Sequence, residues 1–341
     1  MTATDTVAID MHCHAFSPSA KALLDERYEA NEIFTPIRDP YMFYAHSASR
    51  DVDSKRIPDL VPKMIDLKPR VKDMDKTHVD VQVVSPVPIQ FYYWTDPDFG
   101  TRLAQAQNDD ISALVKDNTS RFAAMGALPM QDSVASVAEM RRCVKDLDIR
   151  AFIISSNING VELSDPRFDP VWAEAINLDV PLFIHPFGFT DGERLRCFFM
   201  HNCVGQPLEE QIAITHLIFG GVLDRHPGIK FCIAHGGGYF PYYAGRMDHS
   251  WEYRPELRKQ IRKAPSEYLR ELYYDTVVFR PDALEYLVNL VGADRVMMGT
   301  DYPFDMQEFE PVAFVKSATK LSNDDRRKIL GATSARLMRI G

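Results

Sequence analysis

The sequence of 341 residues is poor in cysteine, and what it has is badly arranged for cross-linking. Its five cysteines, at positions 13, 143, 197, 203 and 232, are odd in number and contain no Cys-x-x-Cys pair. That excludes a disulfide framework and a cysteine-based zinc knuckle. No uninterrupted apolar run reaches membrane-spanning length, and residues 1–6 lack the basic and apolar regions of a signal peptide. The expectation is a reducing, cytoplasmic setting with no membrane partner. A basic stripe is missing too, and the formal charge is −9, which argues against a nucleic-acid partner. Anionic small molecules stay open as substrates, because they respond to local arginines rather than to net charge. Internal repeats and low-complexity segments are absent.

Short β-rich runs recur at 7–12, 79–85, 122–128, 151–155, 181–185, 230–235, 272–276 and 295–300. Their cores are near-continuous Val, Ile, Phe and Met, the pattern of parallel strands covered on both faces. Amphipathic stretches such as 101–118, 133–145, 209–225 and 281–291 lie between them. Eight such alternations in one chain predict an α/β fold, a (β/α)8 TIM barrel forming a single domain over 1–341. A doubly wound sheet would place a glycine-rich phosphate turn after its first strand; here the chain reads His14-Ala15-Phe16-Ser17-Pro18. The connection from strand one to strand two is very long. It holds Pro18, Pro36, Pro40, Pro58, Pro62 and Pro69 among several aromatic residues, a content that argues against disorder. Residues 17–66 are read as an insertion over the catalytic face.

The first strand ends in Asp10-Met11-His12-Cys13-His14. Histidines one residue apart on a strand share a face, so two imidazoles can flank one divalent cation; Cys13 points the other way. Active sites in these barrels lie at the carboxyl ends of the strands. Those ends supply His12 and His14 from strand one, His185 from strand five, His235 from strand six and, just after strand eight, Asp301. Singly, each has a plain reading: His185 a core histidine, His235 the start of a glycine turn, Asp301 a helix cap. Their joint placement favours a metal site instead. His201, His216, His226 and His249 are read as surface or packing residues.

These motifs resemble the amidohydrolase superfamily, within it the amino-carboxymuconate-semialdehyde decarboxylase branch of metal-dependent decarboxylases. The resemblance rests on Asp10-Met11-His12-Cys13-His14, Met74-Asp75, Val79-Asp80-Val81-Gln82-Val83 and Ile184-His185-Pro186. It extends through His235-Gly236-Gly237-Gly238, Gly245-Arg246-Met247-Asp248, Tyr274-Asp275-Thr276 and Gly299-Thr300-Asp301-Tyr302-Pro303-Phe304. It implies one divalent metal held by His12, His14, His185 and Asp301, zinc first and manganese second, with His235 as the acid–base group and Asp301 also catalytic. Strand four ends in Ile154-Ser155-Ser156-Asn157, with no bridging lysine or glutamate, which favours a single metal. The implied activity is non-oxidative decarboxylation of a carboxylated aromatic or muconate-semialdehyde-type substrate. A hydrolase or hydratase acting on a lactone or amide at the same site is the alternative. The resemblance also implies a homodimer in which Arg246 reaches the neighbouring active site, the other reading being an ion pair with Asp248. Arg50, Arg56 and Arg194 are further candidates for holding a substrate carboxylate, and none of the first two aligns convincingly with the family's insertion arginine. Phe187 and Phe198, with Phe189 and Phe199, are candidates for walling the pocket, packing within their own loop being the competing reading.

Overall fold

The computed structural model describes residues 7–340; the reading of residues 1–6 lies outside them. Among the described residues eleven strands occur: β1 (Ile9–Ala15), β2 (Val81–Pro86), β3 (Phe122–Ala124), β4 (Gly126–Ala127), β5 (Phe152–Ile154), β6 (Asn157–Ile158), β7 (Val161–Glu162), β8 (Leu182–Ile184), β9 (Phe231–Ile233), β10 (Tyr273–Asp275) and β11 (Val296–Met297). The ladders run β1-β2-β3 and β11-β10-β9-β8-β5-β4, and every pairing in them is parallel. Met125 alone separates β3 from β4; its N–H bonds Val84 O at 2.8 Å, and the next N–H, of Gly126, bonds Ala151 O at 2.9 Å. The two pieces are therefore one stave. The ring closes where Met11 N bonds Met298 O at 2.9 Å and His14 N bonds Tyr302 O at 2.8 Å. The result is a closed (β/α)8 barrel, with β6 and β7 as an antiparallel hairpin outside it.

Observed strands are shorter than the apolar runs that announce them, except the first, which runs on to Ala15. Its extension is held by Val87 N on Ala15 O, 2.9 Å. The last stave stops at Met297 because the following amides turn elsewhere: Met298 N to Ile329 O, Asp301 N to His12 O. The stretch read as one helix over 209–225 is two, Gly205–Phe219 and Val222–Arg225, divided at Gly221, whose φ of 70° breaks the helical path.

The long connection is helical, not a loop: Pro18–Asp25, Ala30–Ile33, Pro40–Tyr44, Ser47–Ile65 and Leu67–Thr77. Pro18 and Pro40 sit in first turns, where a missing N–H costs nothing. Pro58 and Pro62 lie inside Ser47–Ile65, a helix that buries only Met64, so the lost bonds fall on a solvent-facing element. The helix Pro40–Tyr44 packs on the segment after β8: the Tyr41 ring is 4.7 Å from that of His201, and Arg196 donates to Phe43 O at 2.9 Å. Arg56 pairs with Asp305, after β11, at 3.2 Å. Among the described residues no helix is long and apolar enough to cross a membrane.

The start of the barrel is pinned by buried polar groups. Asp10 accepts from His12 N (3.1 Å), Gln82 Nε2 (3.2 Å) and Thr300 Oγ1 (2.7 Å), tying β1 to β2 and to the end of the last stave. Burial pushes the Asp10 carboxyl up to about 6, against the pull of Thr300 and His12. Arg70 is fully buried and donates to Lys63 O at 2.7 Å, Gln82 Oε1 at 3.1 Å and His14 O. Arg70→Met would strand those acceptors away from water. Urea unfolding of the variant is expected to show a loss of about 3 kcal/mol; a loss near zero would remove Arg70 as the clamp on the His14 strand end.

Candidate metal centre and active site

His12 and His14 come from β1, His185 follows β8 and Asp301 follows β11; all four are buried, and one donor atom from each lies within 4.8 Å of the others. His12 Nε2 stands 3.1 Å from His14 Nε2 and 3.3 Å from Asp301 Oδ1, and His14 Nε2 is 3.2 Å from the same oxygen. A tetrahedral zinc site with bonds of about 2.0–2.1 Å has edges of roughly 3.3–3.4 Å, so these separations fit a shared cation.

The hydrogen-bond network assigns the tautomers. His12 Nδ1 donates to Asp275 Oδ2 at 2.6 Å. His185 Nδ1 donates to Pro186 O at 2.9 Å. His14 Nδ1 meets Ser85 Oγ at 3.0 Å, and the Ser85 proton is committed to Cys13 O at 3.1 Å, so the serine oxygen accepts. Each imidazole thus carries a proton on Nδ1 and turns Nε2 inward. His185 Nε2 is buried with no hydrogen-bond partner. Convergent lone pairs beside an orphaned buried nitrogen are what a metal ion satisfies.

The charges agree. Burial lowers His14 to about 4 and His185 well below its usual range, leaving neutral donors. Burial works against the ionised Asp301, but the surrounding histidines, His12 foremost, hold its carboxyl well below the usual carboxylate range. For His12, Asp301 and Asp275 outweigh burial and lift it to about 9; the cluster favours positive charge at its centre.

His235 follows β9 and sits beside the four. Its Nε2 is 3.7 Å from Asp301 Oδ2, and its Nδ1 contacts Glu210 Oε1. Both His235 (φ 48°) and Asp301 (φ 66°) have left-handed backbones, a strained choice for residues with a Cβ that persists where the surroundings over-determine it. Cys13 faces away, bonding Val83 O at 3.3 Å. The fourth stave, β5, does not reach the cluster with a carboxylate at its end: Ser156 Oγ (3.3 Å) and Asn157 Nδ2 (3.2 Å) hold Glu209 Oε2 instead.

None of the four candidate arginines bonds to the cluster. Arg50 reaches Met42 O at 3.5 Å and lies over the Phe34 ring; Arg56 is paired with Asp305. The Arg194 side chain is 83% exposed beside Asp191. Arg246 is exposed on the helix Phe240–Tyr253, and the Asp248 carboxylate is taken by Ser266 N at 2.8 Å. Phe187 is half-buried, its ring 6.2 Å from that of Phe91. Phe198 is 89% exposed, pointing into solvent rather than lining the cluster. His201 is buried among Tyr41, Phe189 and Phe199, a packing position.

Three supporting residues escaped the sequence reading as site members. Ser85 and Asp275 are strand-end residues of the second and seventh staves, and the rule that found the histidines applies to them equally. Glu210 lies in mid-helix, where a glutamate reads as solvent-facing, and no pattern marks it.

A family profile described as Amidohydrolase matches residues 9–340. The chain is 37% identical over 284 residues to 2-amino-3-carboxymuconate-6-semialdehyde decarboxylase of Dictyostelium discoideum, covering 83% of this chain and 79% of that protein. Among solved structures it is similar to 5-carboxyvanillate decarboxylase from Sphingomonas paucimobilis, with a TM-score of 0.84 and 25% identity over 99% of this chain and 100% of that one. A dihydroxybenzoic acid decarboxylase from Polaromonas sp. JS666, solved with bound manganese and 2-nitroresorcinol, shares the fold at a TM-score of 0.82 and 22% identity, covering 98% and 97% of the two chains. The barrel, the gathered strand ends and these likenesses agree: the chain belongs to the amidohydrolase family, in the branch of 2-amino-3-carboxymuconate-6-semialdehyde decarboxylase.

Proposed function

We propose that the protein is a metal-dependent, non-oxidative carboxy-lyase acting on a carboxylated aromatic or muconate-semialdehyde-type substrate. The observation that carries this is an imidazole left over: the four donors complete a cation site, and His235 stands beside it with Nε2 uncommitted to any second residue but Asp301. We assign His12, His14, His185 and Asp301 as ligands of one divalent ion, zinc in our reading. The same donors accommodate manganese, which the Polaromonas enzyme binds.

The bound cation supplies Lewis acidity toward substrate oxygens. The chain's part is proton handling. Direct loss of CO2 from an sp2 carbon would strand an electron pair in the ring plane with nothing to stabilise it. Protonating that carbon first makes it sp3 and turns the conjugated system into an electron sink. His235 Nε2 is placed to deliver this proton. The C–C bond then breaks, its electrons return to the ring, CO2 leaves, and His235, with its side chain 14% exposed, recovers a proton from water.

The insertion, residues 17–66, covers the catalytic face in this reading, supported by the contacts of Tyr41 and Arg56 with segments that follow β8 and β11. A homodimer with Arg246 near the neighbouring active site is supported by its exposure, by the absence of any carboxylate in ion-pair reach of it among the described residues, and by adjacent Tyr242 and Tyr243, 75% and 49% exposed. Arginine holds carboxylates through paired hydrogen bonds. A cytoplasmic setting accords with five free cysteines.

A screen of hydroxybenzoates, aminobenzoates and muconate semialdehydes is expected to release CO2. A product heavier by one water, with no CO2, would assign a hydratase or hydrolase instead. His12→Ala and Asp301→Ala are expected to lose both metal and turnover, and His235→Asn to keep its metal while kcat falls about 100-fold or more; full activity in a metal-free Asp301→Ala protein would refute the scheme. Asp275→Ala, which frees the His12 ring, is expected to weaken metal binding roughly 10–100-fold in chelator competition. Arg246→Ala is expected to raise KM at unchanged metal content, and light scattering to give a dimer; a fully active monomer would remove Arg246 from the neighbouring site.

A further inference from the structure

The helix Gly205–Phe219 turns two successive acids inward. Glu209 is 3% exposed and Glu210 is fully buried. Glu209 has both oxygens occupied, Oε1 by Thr190 N and Oγ1 (2.5 and 2.7 Å), Oε2 by Ser156 and Asn157; it braces the loops after β5 and β8. Glu210 has a single partner, His235 Nδ1 on Oε1, and its Oε2 is buried without any. A carboxylate taken out of water for one contact is a poor structural device, since an apolar side chain would pack the same space at less cost.

The backbone is shaped around that contact. Gly236, Gly237 and Gly238 all have positive φ, at 63°, 82° and 60°. A Cβ on Gly238 would lie 2.3 Å from Pro207 O and 2.9 Å from Glu210 Oε2; one on Gly237 would lie 2.7 Å from the Tyr274 ring. The glycine run is what lets the first turns of Gly205–Phe219 close on the His235 loop, bringing Glu210 to Nδ1.

We propose that Glu210 is a positioning residue for His235: by accepting from Nδ1–H it sets the ring's orientation and keeps Nε2 aimed over Asp301. Two atoms of one ring are thereby given separate tasks, one anchored to the helix and one left for the substrate. The arrangement parallels His12, whose Nδ1 is held by Asp275, but here the directed nitrogen serves proton transfer rather than ligation. The destination of that proton rests on the decarboxylase reading; the orientation of the ring does not.

The test uses the full-length, zinc-loaded protein labelled with 15N-histidine, comparing wild type, Glu210→Ala and Glu210→Gln. The Nδ1–H resonance of His235 is assigned by its loss in His235→Asn. Metal content, melting temperature, kcat and KM are measured alongside. Glu210→Ala is expected to lose the protected Nδ1–H signal and to lower kcat at least about tenfold, with metal content unchanged and KM within twofold. Glu210→Gln, whose amide oxygen can still accept from Nδ1–H, is expected to recover part of both. Retention of the Nδ1–H signal and of kcat within twofold in Glu210→Ala would overturn the proposal, as would a lowered melting temperature with unchanged kcat. If Ala does not fold, Gln alone decides: a wild-type kcat and signal support the accepting role, and a full loss of both in folded, metal-loaded Gln overturns it. Wild type that releases no CO2 from any substrate would sink the decarboxylase reading, while the Nδ1–H signal still judges Glu210.

Discussion

Three imidazoles and one carboxylate are held within a few ångströms of each other in a buried space. Such donors call for positive charge at their centre, which is why Asp301 and Asp275 lift His12 to about 9, its Nε2 standing 3.1 Å from that of His14. They are kept there by what lies behind them. Asp275, Ser85 and the Pro186 carbonyl each take an Nδ1 proton, so each ring keeps Nε2 turned inward. A bound cation would satisfy the cluster, and the closed barrel is the scaffold that holds it ready.

The same logic explains the strain nearby. Left-handed backbones at His235 and Asp301, and the glycine run after His235, are local costs accepted because parallel neighbours fix both strand ends. Asp301 N bonds His12 O, and Gly236 N bonds Asp275 Oδ1 at 2.8 Å. Asp275 therefore steers a ligand on one side and the turn bearing His235 on the other. The candidate metal site and the His235 turn share a foundation, which couples their geometries without direct contact between the four candidate ligands and Glu210.

Legibility differed by residue. The staves were visible because strands buried on both faces must be apolar along their length, and His12, His14, His185, His235 and Asp301 were visible because barrels place chemistry at strand ends. The helices of the insertion were not legible from its sequence, because prolines that occupy first turns or an exposed helix, where lost hydrogen bonds matter little, do not mark helix. Phe198 looked like a pocket wall and stands in solvent, since aromatic character says nothing about which way a loop residue turns.

Order along the chain and residue type alone determined the fold class, the set of metal-binding candidates and the chemistry they suit. These follow from local rules, strand periodicity and donor preference, that act within a few residues. Tertiary structure decided the rest: which nitrogen of each histidine faces inward, that Ser85, Asp275 and Glu210 support them, and that the candidate arginines lie off the cluster in one chain. Those are relations between residues tens to hundreds of positions apart, Glu210 with His235 and His12 with Asp275, and only closure of the barrel brings such pairs within hydrogen-bonding distance.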